Sequence, residues 1–281
     1  MSEDSRTGYD SFEYYYKKGY FKNKNYIITG GTGGIGKVLV SKLLQLGANI
    51  YIICKNEKKI SIFNNIKEST TNLKFIKKDF TSQRIEPIDM KHIMLHFNGR
   101  LDGLLICHGS YDMGTIDVTD PDDFDNANLI NVRSTFNILS LCAPFLKVSK
   151  GCVVALSSLE AKIPIASGLL NTVTKSMIDS LIQNAALELA SFQVRVNGVA
   201  SNVVNTQMRV GINQNFGEDE NNLFMDKIGA YFPLGQKVIE PDEIVDTVLF
   251  LACEDSQFIT GEIINVDAGY SLNHDLCFTQ D

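Results

Sequence analysis

From Tyr26 onward the chain alternates short apolar runs with longer stretches in which apolar side chains recur every three or four positions. YIIT (26–29), NIYIIC (49–54), LKFI (73–76), GLLIC (103–107), CVVAL (152–156), VRVNGVA (194–200) and EIINVDAG (262–269) read as strands. Several are continuous apolar runs instead of alternating ones, which is the pattern of strands covered on both faces. Between them the helical period predicts GKVLVSKLLQLG, with apolar positions 38, 39, 43, 44 and 46 on one face and Gly47 as its stop. Further helices are expected near 57–69, 82–97, 121–147 and 171–191, and PDEIVDTVLFLAC (241–253) adds one with proline at its start. Repeated strand–helix units predict an α/β fold: a doubly wound parallel sheet of about seven strands with helices on both faces and right-handed crossovers. In such a sheet ligands belong at the carboxyl ends of the strands.

Two segments break the rhythm. Residues 1–24 hold five of the ten tyrosines (9, 14, 15, 16 and 20) in a polar setting without a period. They read as an N-terminal extension to a single domain spanning 25–281. Such an extension either packs on its own domain or docks a protein partner, since tyrosine presents rigid amphipathic area at low entropic cost. Residues 205–236 are long and polar, yet carry Phe216, Phe224, Tyr231 and Phe232. A lid over the sheet edge, facing an apolar small-molecule substrate, is the expectation for a segment of this kind.

Composition narrows the class. A net charge of −7 leaves no basic stripe to meet phosphates, so nucleic acid is not an expected partner. No unbroken apolar run approaches the roughly 18 residues of a membrane span, so no membrane is expected either. The start, MSEDSRTGYD, is acidic and polar, which fits neither a secretory signal nor a transit peptide, and a cytoplasmic protein is expected. Six cysteines (54, 107, 142, 152, 253 and 277) and four histidines lack metal-like spacing, so no metal site is expected. Cys54, Cys107 and Cys152 fall inside strand-like runs, where a free cysteine is a small buried hydrophobe.

The candidate chemistry begins at TGGTGGIG (29–36), between the first strand and the first helix. It matches GxGxxG at Gly31, Gly33 and Gly36, and also TGxxxGxG through Gly30, Gly34 and Gly36. Glycine lets a backbone approach a pyrophosphate, and a helix N-terminus offers free N–H groups and positive potential. The same glycines equally serve a tight turn and close helix–sheet packing.

Further landmarks set the register. The TGxxxGIG loop, NGRLD (98–102), Asn131, the serines 157–158, Lys175, VRVN (194–197), PLGQ followed by PDEI, and ITGEIINVDAG (259–269) together resemble the short-chain dehydrogenase/reductase family over roughly residues 24–270. The resemblance implies a Rossmann fold, a dinucleotide cofactor and oxidoreductase chemistry on a carbonyl, hydroxyl or enoyl-type substrate. It would place Gly30, Gly34, Ile35 and Gly36 along the pyrophosphate, and Thr32 beside the adenosine ribose. Asp79 and Phe80 would lie at the adenine, Gly109 beside the dinucleotide, and Thr206 near the nicotinamide carboxamide. Asn131, Ser158 and Lys175 match three members of the family's catalytic tetrad, and the lysine would also hold the nicotinamide ribose. The second strand ends at Cys54 instead of an acid, and Lys55 is either suited to a 2′-phosphate or a solvated surface lysine; Gly33 stands where NADP-users often keep a basic residue, and the balance favours NADP(H) over NAD(H). Helices near 121–147 and 171–191 resemble those through which family members form homo-oligomers.

The chain departs from the family pattern at three places. The family's NNAG is ICHG (106–109), its Pro-Gly is Ser201-Asn202, and its YxxxK tyrosine is Asn171. No tyrosine occurs between Tyr111 and Tyr231, so no small shift of register restores the phenol. An amide donates a hydrogen bond but gives up no proton at accessible pH, and losing a positioned acid costs about 10²–10⁴ in rate. Three readings follow. The chain is a reductase using another donor, such as water on Lys175, His108 or Tyr111. It is a pseudoenzyme that binds dinucleotide without catalysis, as a sensor or regulated scaffold. Or it is a structural subunit of a larger assembly, its tyrosine-rich arm or lid docking a partner and its pocket vestigial with no cofactor bound.

Overall fold

A computed structural model describes residues 11–206, 227–235 and 237–273. Seven strands form one parallel sheet in the order β3-β2-β1-β4-β5-β6-β7. They are β1 (Asn25–Thr29), β2 (Asn49–Cys54), β3 (Leu73–Lys77), β4 (Gly103–Ile106), β5 (Cys152–Ser158), β6 (Arg195–Ser201) and β7 (Ile263–Val266). The strand order reverses between β1 and β4, which pair from Tyr26 with Gly103 to Thr29 with Ile106. That reversal opens a crevice at the carboxyl ends of the two strands.

Helices cover both faces. On one face lie α2 (Gly34–Gln45) and α8 (Pro241–Ala252), whose Leu39, Leu43, Val245 and Leu249 are buried with Ile28, Ile50 and Ile52. On the other lie α4 (Pro87–His96), α6 (Ser134–Ser149) and α7 (Leu169–Leu189), burying Ile93, Ile138, Ile178 and Ile182 with Ile27, Leu104 and Val153. Adjacent residues of one strand thus enter opposite cores, which is why the strands read as unbroken apolar runs.

Two expected helices differ in the structure. Residues 57–69 form a 3₁₀ segment, Glu57–Phe63, then the four-residue α3, Ser69–Asn72. Only Phe63 of that 3₁₀ segment is buried, and Asn, Ser and Thr compete for backbone hydrogen bonds, so no long helix is sustained. Helix α4 starts at Pro87 instead of 82, set by a capping box in which Glu86 and Asp89 exchange bonds.

The helix after β4 is continuous from α5 (Pro121–Asn128) through a π segment (Leu129–Arg133) into α6. Among the described residues this is the one helix long and apolar enough, by length and composition, to cross a membrane. Polar residues interrupt it throughout, so it contains no unbroken apolar run of spanning length. Ile138, Leu139, Cys142 and Leu146 bury its inner face on the sheet, so it is a core helix.

Residues 11–24 lie against the domain. Helix α1 (Ser11–Lys18) buries Tyr15, whose ring meets Phe21 at 5.6 Å, and Phe21 meets Tyr26 of β1 at 6.0 Å. The hydroxyls of Tyr14 and Tyr20 both donate to the Asp255 carboxylate, at 2.7 and 2.6 Å. Of the expected lid, residues 207–226 and 236 lie outside the described residues, Phe216 and Phe224 among them. Phe232 is fully buried in the core with Tyr270 against it, while Tyr231 is exposed.

Candidate active site

The glycine loop leaves β1 at Gly30, whose φ of +66° only glycine adopts without strain, and packs on the backbone of Cys107 and His108. A Cβ at Gly36 would collide with the Gly30 carbonyl oxygen, and one at Gly34 would collide with the Thr206 side chain. Gly33 precedes α2 with no side chain capping the helix. The first turn of α2, containing Gly34, Ile35 and Gly36, therefore keeps its N-terminal positive end for an anion. Thr32 lies in the loop between β1 and α2. These residues fit a pyrophosphate.

Beyond the carboxyl ends of β2 and β3, the Lys55 ammonium pairs with Asp79 at 3.1 Å, and Asp79 also accepts from the Thr81 amide and hydroxyl. Burial pushes that carboxyl up, but the Thr81 bonds and Lys55 outweigh it and hold it below the ordinary range. Lys55 is thus neither a lone solvated lysine nor a cation held clear for phosphate. Its side chain is 71% exposed, so the pair is open to water and weak. Phe80 is buried with its ring 4.7 Å from that of His108.

The other end of the crevice is built by β4, β5, the π segment and α7. The π segment carries Asn131 into the protein, where its Oδ1 accepts from the Ser110 amide at 2.8 Å. Its Nδ2 donates to the Ser110 carbonyl at 3.2 Å and to Thr174 Oγ1 at 3.0 Å. A π turn inside an α-helix is rare and often marks a functional position. Lys175 donates to the Leu156 carbonyl at 2.9 Å, and burial lowers its ammonium to about 8. Gly109 lies between Asn131 and Lys175, where a Cβ would sit 3.2 Å from Asn131 Oδ1 and 3.6 Å from Lys175 Nζ.

Asn171, on the first turn of α7, is buried. Its Nδ2 donates to Ser158 Oγ at 3.3 Å and to Glu160 Oε2 at 2.9 Å. Glu160 is also buried, and its other oxygen accepts from the Tyr111 hydroxyl at 3.0 Å. Its amide donates to Ser158 Oγ at 3.2 Å. Sequence reasoning missed Glu160 because a glutamate in a turn after a strand is ordinarily exposed. The signal was its place two residues beyond Ser158.

The donors considered in place of the phenol are constrained. His108 has Nδ1 2.6 Å from Thr29 Oγ1 and Nε2 2.5 Å from Ser134 Oγ. Burial, then the Lys175 charge, lowers it to about 3, so it is neutral and fully engaged. Burial and Glu160 push the Tyr111 phenol up, and its hydroxyl already points at that carboxylate. Of the other two departures, Ile106 pairs between Thr29 and Ala155 in the sheet, and Ser201 lies beside Ser158 in register. The site brings together Asn131, Ser158, Asn171 and Lys175, and adds Glu160 and Tyr111.

A family model described as enoyl-(acyl carrier protein) reductase matches residues 30–271. A tropinone reductase homolog of Arabidopsis thaliana is 31% identical over 264 residues, covering 90% of this chain and 92% of the relative. The 7alpha-hydroxysteroid dehydrogenase of Clostridium sardiniense is 28% identical over 252 residues, 88% of this chain and 92% of that protein. Among solved structures, Cj0485 dehydrogenase superposes with a TM-score of 0.80 at 22% identity, over 90% of this chain and 95% of that one. A tyrosine-to-phenylalanine variant of ElxO with NADPH bound gives a TM-score of 0.77 at 26% identity, over 89% and 99%. With the sheet order, the glycine cradle and a family match across most of its length, the chain belongs to the short-chain dehydrogenase/reductase family.

Proposed function

We propose that this chain binds NADP(H) in the crevice above Gly34 and Lys175 and works as an oxidoreductase on a carbonyl or hydroxyl substrate, with the family's tyrosine-dependent proton transfer impaired. The observation that carries this reading is the contrast between the two parts of the site. The glycine cradle and Lys175 are in place, whereas position 171 holds an amide engaged by Glu160 and Ser158. When bound, the cofactor supplies or accepts the hydride; the chain's own groups hold the reacting oxygen. The preference for NADP(H) is supported by the NADPH carried by the ElxO variant and by the absence of an acid at the end of β2, where Cys54 stands.

A second reading is a pseudoenzyme that binds the cofactor without turnover, as a structural or regulatory subunit. Its support is the hydrogen bond by which Glu160 occupies the Asn171 amide, both residues being buried at 6% and 4% exposed. Titration with NADPH, followed by nicotinamide fluorescence, tests both. A saturable change is expected, tighter than for NADH, and no binding at about millimolar cofactor discards both readings.

A further inference from the structure

Glu160 is a buried carboxylate placed against the position where the family keeps its acid, and the family's chemistry gives it no task. We propose that Glu160 is the general base of this site, taking the proton of a substrate alcohol while Ser158 holds the alcohol oxygen and Asn171 holds the carboxylate. The proposal rests on the cofactor reading above, because oxidation of the alcohol needs the bound nicotinamide as hydride acceptor.

The geometry supports it in four ways. First, the Asn171 amide bridges Ser158 Oγ and Glu160 Oε2, at 3.3 and 2.9 Å, so the carboxylate is one side chain from the serine that would hold the oxygen. Second, each carboxylate oxygen offers two acceptor sites, and the bonds from Asn171 and Tyr111 take one on each, leaving one on each for a proton. Third, the chain makes room for the group, since a Cβ at Gly168 would lie 2.8 Å from Glu160 Oε2. Fourth, the Tyr111 hydroxyl donates to Oε1, which fixes the carboxylate and leaves Oε2 toward Asn171. The Lys175 ammonium acts electrostatically on the same carboxylate.

The step balances as a two-electron oxidation. The alcohol O–H bond breaks toward Glu160 Oε2, and its electron pair becomes the carbonyl π bond. The carbinol hydride would pass to the oxidised nicotinamide when that cofactor is bound. Glu160, now a carboxylic acid, returns its proton to water.

The test uses the full chain and three variants: Glu160→Gln, Glu160→Asp and Tyr111→Phe. Calorimetry first measures NADP⁺ binding, which every variant should retain. NADPH formation is then followed with cyclohexanol, 1-phenylethanol and 1-indanol as probes. The unaltered chain should form NADPH. Glu160→Gln should lose at least about 100-fold in kcat, and Glu160→Asp should recover part of it. Infrared spectra of the NADP⁺-loaded chain, minus those of Glu160→Gln, should contain a carboxylate band that shifts when cyclohexanol is added. Equal kcat in Glu160→Gln, an unmoved band, or a chain that binds NADP⁺ yet oxidises none of the three alcohols overturns the proposal. Failure to bind NADP⁺ removes the cofactor reading itself and shows separately.

Discussion

A phenol restored at position 171 would meet the carboxylate that now accepts from the Asn171 amide. The effect of that carboxylate on a phenol is visible at Tyr111, which burial and Glu160 together push up. Asn171→Tyr alone should therefore add little carbonyl-reductase activity. Asn171→Tyr with Glu160→Ala, which frees the phenol to respond to Lys175, should raise NADPH-dependent reduction by about 10²-fold over the single variant. Equal rates for the single and double variants would mean that Glu160 does not restrain the phenol. His108 gives a second residue-scale expectation. Its folded value of about 3 lies below the ordinary 6.5, so below about pH 6.5 the unfolded chain binds a proton that the folded chain refuses. Stability from this group is complete above that pH and is lost as pH falls toward 3, by up to about 1.4 kcal/mol per pH unit. His108→Gln should flatten that part of the stability–pH curve in urea titrations, whatever it does to stability at neutral pH.

Helix α1 and the turn after it act as a strap across the face covered by α2 and α8. Tyr15 and Phe21 are buried, and two tyrosine hydroxyls converge on Asp255. Removing residues 1–20 exposes the apolar surface under Tyr15, and a fully buried aromatic is worth roughly 1.5–3 kcal/mol. The truncated chain should melt several degrees lower; an unchanged Tm would make the strap a passive cover. The first turn of α2 depends on Gly36 lying against the Gly30 carbonyl. Gly36→Ala should abolish NADPH binding by fluorescence while the far-ultraviolet circular dichroism of the helices persists. Normal NADPH affinity in that variant would separate the loop from the cofactor.

Across the whole molecule, α6 and α7 coincide with the helices that the family resemblance assigns to contacts between copies, and Phe136, Val148, Met177 and Leu187 on them are 59%, 83%, 40% and 80% exposed. We propose that a second copy of the chain covers them. Sedimentation velocity should give a dimer or larger species for the unaltered chain and a monomer for Phe136→Glu with Leu187→Glu. A monomer for the unaltered chain at about 10 μM would remove the proposal. Lys175 adds a global pH dependence to cofactor binding, since its ammonium loses its proton near 8. If that charge holds the ribose hydroxyls, NADPH affinity should fall as pH rises through about 8, and Lys175→Met should bind weakly with no such slope.

Local pattern determined the architecture. Continuous apolar runs such as NIYIIC specify strands buried on both faces, TGGTGGIG specifies a loop that only glycine can form, and Asn171 in place of a phenol was legible at once. Helix capping was partly legible, but the stretch 57–69 was not, because its weak propensities are resolved by what it packs against. The polar network was decided by tertiary structure alone. Glu160 lies 49 residues from Tyr111 and 11 from Asn171, and Lys55 meets Asp79 only because β2 and β3 are neighbours. Burial of a charge depends on partners brought together by the fold, and neither periodicity nor spacing along the chain encodes that meeting. The missing phenol belonged to the sequence; the carboxylate beside its place belonged to the fold.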